Sequence, residues 1–169
     1  ELAPDAREEV DGAQNAASHL LTVINDLLDL QQISQGRFSL SPQEFDLRHG
    51  VRDIFRTLES HARALELGYH LQIDDDVPDR VKADPDRLAQ ILINLLGNAI
   101  KFTSQGEVKL RVSVLAQGAD QAELAFAVQD SGSGIDARQL ARIFEPFYQA
   151  HAMSLHPQDD SLRGNGLGL

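Results

Sequence analysis

The stretch NLLGNAIKFT, residues 94–103, is the most informative part of the sequence, because two asparagines and a lysine interrupt a pattern typical of a buried helix. Asp84 and Pro85 predict the start of this helix, since aspartate caps a helix N-terminus and proline fits the first turn. The apolar residues that recur three and four positions apart, and that predict its core-facing side, are Leu88, Leu92, Leu95 and Ala99.

The polar residues of this stretch occupy a different side of the predicted helix. Asn94, Asn98 and Lys101 are spaced by four and three residues, so they share one face. One interpretation is the solvated face of an amphipathic helix. The other is chemical: asparagine is a mediocre helix former, but its amide oxygen can coordinate Mg²⁺, and a lysine ammonium can bind phosphate.

The composition is that of a globular domain with a strongly acidic charge. Apolar residues make up 42% of the 169 residues, which supports a packed core. The net charge of −11 argues against nucleic acid and anionic membrane surfaces as partners, because both select clustered lysine and arginine. The absence of cysteine excludes disulfides and thiolate metal sites, and no apolar run approaches the roughly 20 residues of a membrane span.

Gly36 divides the sequence into two parts. Residues 5–35 carry a broad apolar stripe at three- and four-residue spacing, which is typical of a helix in a four-helix bundle. Glycine at position 36 is expected to end that helix. For residues 37–169 the pattern of helices and strands predicts an α+β fold: a two-layer α/β sandwich, with a mixed, mainly antiparallel sheet covered by helices on one face and preceded by the long bundle helix.

Several elements of the second part can be delimited from the sequence. A helix capped by Asp46 is expected to run to about Leu67 and to end at Gly68. Residues 107–116 and 122–130 predict two long strands joined by a hairpin turn. The remaining predicted elements are a strand at 69–74, a short helix at 137–142 and an irregular loop at 150–163.

A glycine turn, DSGSGI at residues 130–135, follows the second long strand directly. Glycines after a strand most often indicate only a tight turn. The alternative is a binding site: a carboxylate at position 130 that accepts a hydrogen bond from the exocyclic amine of adenine would reject guanine, which has a carbonyl there. Gly132 and Gly134 would let a flat base approach the backbone.

A second glycine-rich stretch, RGNGLGL, occupies residues 163–169. Alternating glycines of this kind form loops whose backbone N–H groups bind anions, although the GK[ST] of the Walker loop is absent. Between the two glycine stretches lies IFEPFYQ, residues 143–149, whose aromatic side chains are typical of a hydrophobic plug under a loop.

The order of these motifs is more specific than any one of them. N-x-x-x-N-A-x-K-F, D-x-G-x-G-I, a Phe–Pro–Phe segment and G-x-G-L-G-L resemble the N, G1, F and G2 boxes of the ATP-binding catalytic domain of a sensor histidine kinase, over residues 37–169. Residues 1–36 resemble the second helix of that family's dimerisation and histidine phosphotransfer domain. The stretch DPDRLAQILINLLGNAIKFT, residues 84–103, is especially similar to the hybrid-type sensor kinases. The fold implied by the resemblance is the histidine kinase ATPase (Bergerat) type.

The resemblance implies a role for each matching residue. Asn98 would hold Mg²⁺, with Asn94 as a second candidate ligand, and Lys101 would approach the phosphates of ATP. Phe102 would flank the base and Asp130 would accept from the adenine amine. The other ATP-binding residues implied are Gly132, Gly134, Ile135, Phe144, Phe147, Arg163, Gly164, Gly166, Leu167 and Gly168.

The activity implied is binding of Mg-ATP and transfer of the γ-phosphoryl group to a histidine, for relay to an aspartate of a response regulator. The acceptor of this family lies on the first bundle helix, so His19, on the second, is not expected to be the acceptor, and no catalytic histidine is expected in this chain. The partners implied are a second copy bound through the bundle helices and a response regulator or receiver domain. The expected location is the cytoplasm, with the parent protein anchored in the bacterial inner membrane.

Some features of the sequence leave other interpretations open. Asp159 and Asp160 lie where phosphates would arrive, which allows a degenerate kinase domain that regulates another sensor kinase instead of binding ATP. A third interpretation is another ATPase of the same wider superfamily, of the topoisomerase or chaperone type, although the F box and the preceding bundle helix argue against it. His151 and His156 suggest a metal site only weakly, because they are five residues apart in a loop. The resemblance also implies a further helix and strand after Leu169.

Overall fold

The computed structural model describes residues 20, 24–25, 27–29, 31–143 and 145 of the chain. These residues belong to two units, which we describe separately: the residues up to Ser39 belong to the first, and Leu40–Ala141 form the body of the second. No helix among the described residues is long and apolar enough to cross a membrane.

The second unit alternates helices and strands along the chain. Its elements are β1 (Gln43–Asp46), α1 (Leu47–Thr57), α2 (Glu59–Ala64), β2 (Gly68–Ile73), β3 (Arg80–Ala83), α3 (Pro85–Phe102), β4 (Glu107–Gln117), β5 (Ala122–Asp130) and α4 (Ala137–Leu140). The two long strands and the short helix agree with the sequence prediction. The α+β class is therefore confirmed.

The strands of the second unit form a mixed three-stranded sheet and a separate two-stranded one. In the larger sheet, β4 lies between β2, to which it is parallel, and β5, to which it is antiparallel. β1 and β3 pair in the antiparallel sense. Along β4, Val108, Leu110 and Val112 are fully buried, whereas the alternate positions Lys109 and Arg111 are not. One face of the sheet therefore packs in the core and the other does not, as predicted for a two-layer sandwich.

Helix α3 supplies much of the core. Leu92, Leu96 and Ile100 are fully buried and recur every four residues, which is one helical turn. The prediction of Leu95 as a core position was wrong in detail, because Leu95 is only half-buried and Leu96 takes the central place. Leu95 lies three residues after Leu92 and four before Ala99, and Leu96 lies four after and three before. Both spacings are helical, so the pattern alone does not decide between the two adjacent leucines.

The start of α3 is capped as the sequence predicts. One carboxylate oxygen of Asp84 accepts from the backbone N–H of Arg87 at 3.1 Å, and the other accepts from the N–H of Ser41 at 2.8 Å. These hydrogen bonds, that of Ser41 above all, hold the pKa of the Asp84 carboxyl below its usual range. Asp84 thus joins the start of α3 to the segment that leads into β1.

The single helix predicted after Asp46 is wrong: the chain forms two helices, and Leu58 separates them. The hydroxyl of Thr57 donates to the Ile54 carbonyl at 2.6 Å, which is the local competition that weakens helices at threonine. The second helix also ends before Gly68, because Glu66 takes the left-handed conformation at φ +57° and the Leu67 N–H donates to the Ala62 carbonyl. Gly68 instead begins β2.

In the first unit, residues 31–34 are helical and the helix ends at Gly36, as predicted. Gly36 has φ +64°, and the N–H of Arg37 donates to the Gln32 carbonyl at 2.9 Å, which is the usual closure of a helix by a left-handed glycine. Large apolar side chains in this unit that remain exposed are Leu20, Ile24, Leu27, Leu28 and Ile33.

Candidate functional site

The polar face of α3 carries side chains that the rest of the described fold does not use. Asn94, Asn98 and Lys101 are half-buried. Among the described residues, neither asparagine amide has a hydrogen-bond partner. Gly97 lies on the same side of the helix, and a Cβ atom there would meet no described atom within 4 Å. This face therefore offers two amide oxygens, a cation and open space.

Lys101 is a cation held in a partly desolvated position. Its Nζ lies 5.3 Å from the centroid of the Phe102 ring, within the range of a cation–π contact. Burial lowers the pKa of the Lys101 ammonium. Because desolvation disfavours the charged form, an anion that binds beside Lys101 would stabilise that form and raise the pKa again.

The glycine turn of the G1 box, residues 130–135, is called the G1 turn. It begins where β5 ends, at Asp130. Asp130 pairs with Val108 of β4, so the backbone of Asp130 belongs to the sheet. Its Oδ1 accepts from the N–H of Gly132 at 2.9 Å, and its other oxygen has no partner among the described residues. Gly134 adopts φ +70°, which glycine tolerates without strain.

Gly132 brings the G1 turn against the end of α3. A Cβ atom at position 132 would collide with the carbonyl oxygen of Phe102 and lie 2.9 Å from Asp130 Oδ1. Only glycine allows this approach. The turn that carries Asp130 therefore packs directly on the end of the helix that carries Asn98 and Lys101.

Two further side chains of the site were not found by the sequence analysis. Ser131 Oγ accepts from the Glu107 N–H at 2.9 Å, so it ties the turn to the start of β4. Thr103 is buried and donates through Oγ1 to the Ala99 carbonyl at 2.7 Å, which closes the C-terminal end of α3. No periodicity or motif in the sequence singles out either residue. Both hydroxyls bond backbone groups, whose positions cannot be read from the sequence.

The described part of the predicted site consists of three groups. Asn94, Asn98, Lys101 and Phe102 lie on α3, and Asp130 and Gly132 lie on the turn packed against it. Gly134 and Ile135 continue that turn, with Ile135 exposed. The predicted residues that fall outside the described part of the chain are Phe144, Phe147, Arg163, Gly164, Gly166, Leu167 and Gly168, together with His19, His151, His156, Asp159 and Asp160.

The donor chemistry of α3 fits magnesium. Amide oxygens are hard ligands, and Mg²⁺ is usually held by one or two protein oxygens together with substrate phosphates and water. Within the described residues, no group of three or more His, Cys, Asp or Glu side chains is arranged to hold a metal ion. Asn94 and Asn98, one turn apart, are the candidate ligands that this part of the chain provides.

Comparison with known proteins gives the family. The family described as histidine kinase-, DNA gyrase B-, and HSP90-like ATPase matches residues 83–169, just over half of the chain. The chain belongs to this ATPase family, and the resemblance to sensor histidine kinases is confirmed by the relatives described next.

Two curated relatives are sensor kinases. The chain is 37% identical over 171 residues to the signal transduction histidine-protein kinase BarA of Escherichia coli K12, covering 100% of this chain and 18% of BarA. It is 37% identical over 168 residues to the autoinducer 2 sensor kinase/phosphatase LuxQ of Vibrio vulnificus YJ016, covering 96% of this chain and 19% of LuxQ. The chain thus spans about a fifth of the length of these relatives.

A solved structure supports the same fold. Full-length ShkA in complex with AMPPNP superposes with a TM-score of 0.74 at 30% sequence identity, covering 99% of this chain and 33% of ShkA. The fold of the chain is therefore that of a histidine kinase ATPase domain.

Proposed function

We propose that this chain is the ATP-binding kinase core of a hybrid-type sensor histidine kinase, with residues 37–169 as the catalytic domain and residues 1–36 as the second dimerisation helix. The observation that carries the proposal is the packing of Gly132 on the Phe102 carbonyl. Through this contact a carboxylate suited to adenine lies beside a helix end suited to Mg²⁺ and phosphate. The likeness to kinase relatives supports the same reading over a topoisomerase- or chaperone-type ATPase.

In this proposal the G1 turn recognises the base. Asp130 uses Oδ1 for the Gly132 N–H, which orients the carboxylate and leaves the second oxygen to accept from the exocyclic amine of adenine. Phe102 and Ile135, both exposed in the described fold, would provide apolar contact for the ring. Guanine, which has a carbonyl in place of the amine, would face the carboxylate with an acceptor and be rejected.

The polar face of α3 binds the phosphates. Asn98, with Asn94, would hold Mg²⁺, which supplies charge neutralisation at the phosphates when it is bound. Lys101 provides a positive charge whose partial burial strengthens its interaction with an anion. The protein's contribution to phosphoryl transfer is then mainly positioning and charge stabilisation.

The acceptor in this proposal is a histidine on the first dimerisation helix, not His19, and the phosphoryl group then passes to an aspartate of a response regulator or receiver domain. The exposed apolar side chains of residues 20–33 support pairing with bundle helices of a second copy. The use of ATP puts this part of the protein in the cytoplasm, and we propose that the parent protein is anchored in the bacterial inner membrane.

Calorimetric titration of the protein with ATP and GTP, each in Mg²⁺ and in EDTA, tests the proposal. The expected result is binding that requires Mg²⁺ and prefers ATP over GTP. No binding at millimolar ATP would contradict the proposal, and would favour the alternative in which the chain is an interaction module that regulates another sensor kinase.

A further inference from the structure

The connection between α3 and β4, residues 103–106, is tied to the G1 turn by one side chain, that of Ser131. Its Oγ accepts from the Glu107 N–H at 2.9 Å, and lies 3.2 Å from the Gln105 carbonyl and 3.3 Å from that of Glu107, to which its proton can be donated. The Ser131 backbone N–H also donates to the Glu107 carbonyl at 3.1 Å. One residue thus links the end of β5 to the chain that leaves α3.

The neighbouring glycines leave this linkage little room to shift. Gly106 has φ +110°, and a Cβ atom there would collide with Ser131 Oγ. On the other side, Gly132 is packed against the Phe102 carbonyl so closely that it has no space for a Cβ atom. The turn is therefore held on two sides: through Ser131 by Gln105 and Glu107, and through Gly132 by Phe102 at the end of α3.

We propose that Ser131 is a positioning residue that sets the Asp130 carboxylate for recognition of the exocyclic amine of adenine. Asp130 precedes Ser131 directly and is bonded to the N–H of Gly132, so a shift of the turn moves the carboxylate. The inference rests on the proposed function. It adds a specificity-determining role for a residue whose hydroxyl contacts only backbone groups among the described residues.

Ser131 acts on geometry more than on stability. The residue is exposed, so water can replace its hydrogen bonds when the hydroxyl is removed. We therefore expect the Ser131→Ala protein to fold, with a melting temperature close to that of the wild type. Ser133 offers a matched control, because it is an exposed serine of the same turn with no hydrogen bond to any described residue.

The test measures the affinity of the wild type and of Ser131→Ala, Ser131→Thr and Ser133→Ala for two ligands in Mg²⁺: ATP, and purine ribonucleoside triphosphate, which lacks the amine. Ser131→Ala should weaken ATP binding about tenfold, and should leave binding of the amine-free nucleotide within about twofold, since only ATP uses the oriented carboxylate. Ser131→Thr, which keeps the hydroxyl, should retain most of the ATP affinity. Ser133→Ala should change neither affinity.

Equal weakening of both nucleotides by Ser131→Ala, or no change in either, would overturn the positioning role, whatever the melting temperature. Equal effects of Ser131→Ala and Ser133→Ala would overturn it as well. The wild type distinguishes failure of the inference from failure of the proposed function. A wild type that binds neither nucleotide contradicts the function and the inference together. A wild type that prefers ATP leaves only the inference to be decided by the variants.

Discussion

The two faces of α3 differ in how completely the fold uses them. On one face Leu92, Leu96 and Ile100 are fully buried in the hydrophobic core. On the other face Asn94 and Asn98 are half-buried, and their amides have no hydrogen bond to the described residues. Both faces lie on the same eighteen-residue helix, so the difference between them comes from their side chains and not from the backbone.

This difference separates residues that stabilise the fold from residues that are available to a ligand. A buried leucine contributes to folding through the apolar surface it removes from water. An unpaired, half-buried amide contributes little to folding and is a donor and acceptor ready for a partner. Substitutions on the buried face should therefore change the free energy of unfolding, and substitutions on the polar face should change ATP binding.

The largest effect is expected from Leu96→Ala on the buried face. Removal of a fully buried leucine side chain should lower the free energy of unfolding by about 3 kcal/mol, because it loses apolar burial and leaves a cavity. Urea denaturation followed by circular dichroism measures this change. Ile93→Ala, on the same helix but substantially exposed, is the control, and a cost as large as that of Leu96→Ala would contradict the assignment of the two faces.

Asn98→Ala tests the polar face. We expect loss of Mg²⁺-dependent ATP binding by about a hundredfold or more, with a free energy of unfolding within about 0.5 kcal/mol of the wild type. Titration calorimetry and urea denaturation give the two numbers. Asn25→Ala, an exposed helical asparagine of the first unit, should change neither. If Asn98→Ala binds Mg-ATP like the wild type, Asn98 does not serve the metal.

Lys101→Met should weaken ATP binding and slightly raise the stability of the fold. Burial lowers the pKa of Lys101 in the folded protein, so the protonated form is disfavoured by folding at every pH below that pKa, and the penalty disappears only above the unfolded pKa. At neutral pH the methionine should therefore give a slightly higher melting temperature, while ATP binds about tenfold more weakly.

Lys109→Met, on the outer side of β4, is the control for Lys101→Met, since Lys109 is paired with Glu107 at 3.6 Å. It should leave ATP binding unchanged. A Lys101→Met protein that is less stable than the wild type and binds ATP normally would show that Lys101 is a structural residue of the solvated face.

The smallest effect is expected from Gly97→Ala. Glycine in a helix interior costs about 1 kcal/mol relative to alanine, and the added Cβ atom would meet no described atom. The substitution should therefore raise the free energy of unfolding by about 0.5–1 kcal/mol. A destabilised Gly97→Ala protein in urea denaturation would show that the space beside Gly97 is occupied by another part of the chain.

The sequence predicts the elements of the fold better than their ends. The start of α3 follows from the chemistry of Asp84 and Pro85, and β4 follows from the alternation of apolar and polar residues along it. The break at Leu58 and the left-handed turn at Glu66 could not be predicted, because they depend on local backbone competition and not on periodicity.

The residues of the candidate site could be predicted from the sequence, but their arrangement could not. Motif order pointed to Asn98, Lys101 and Asp130, which lie on α3 and at the end of β5. The contact that joins them, Gly132 on the Phe102 carbonyl, is a distance between backbone atoms thirty positions apart. Ser131 was missed for the same reason, since its partners are backbone groups of another element.

The central claim is that the polar face of α3 binds Mg-ATP. The most direct measurement is nuclear magnetic resonance of the side-chain amides of isotope-labelled protein during titration with ATP, in Mg²⁺ and then in EDTA. We expect the Asn98 amide signals, and those of Asn94, to shift in Mg²⁺ and to return in EDTA, while those of Asn25 stay unchanged. Saturable Mg-ATP binding that leaves the Asn94 and Asn98 signals in place would contradict the claim.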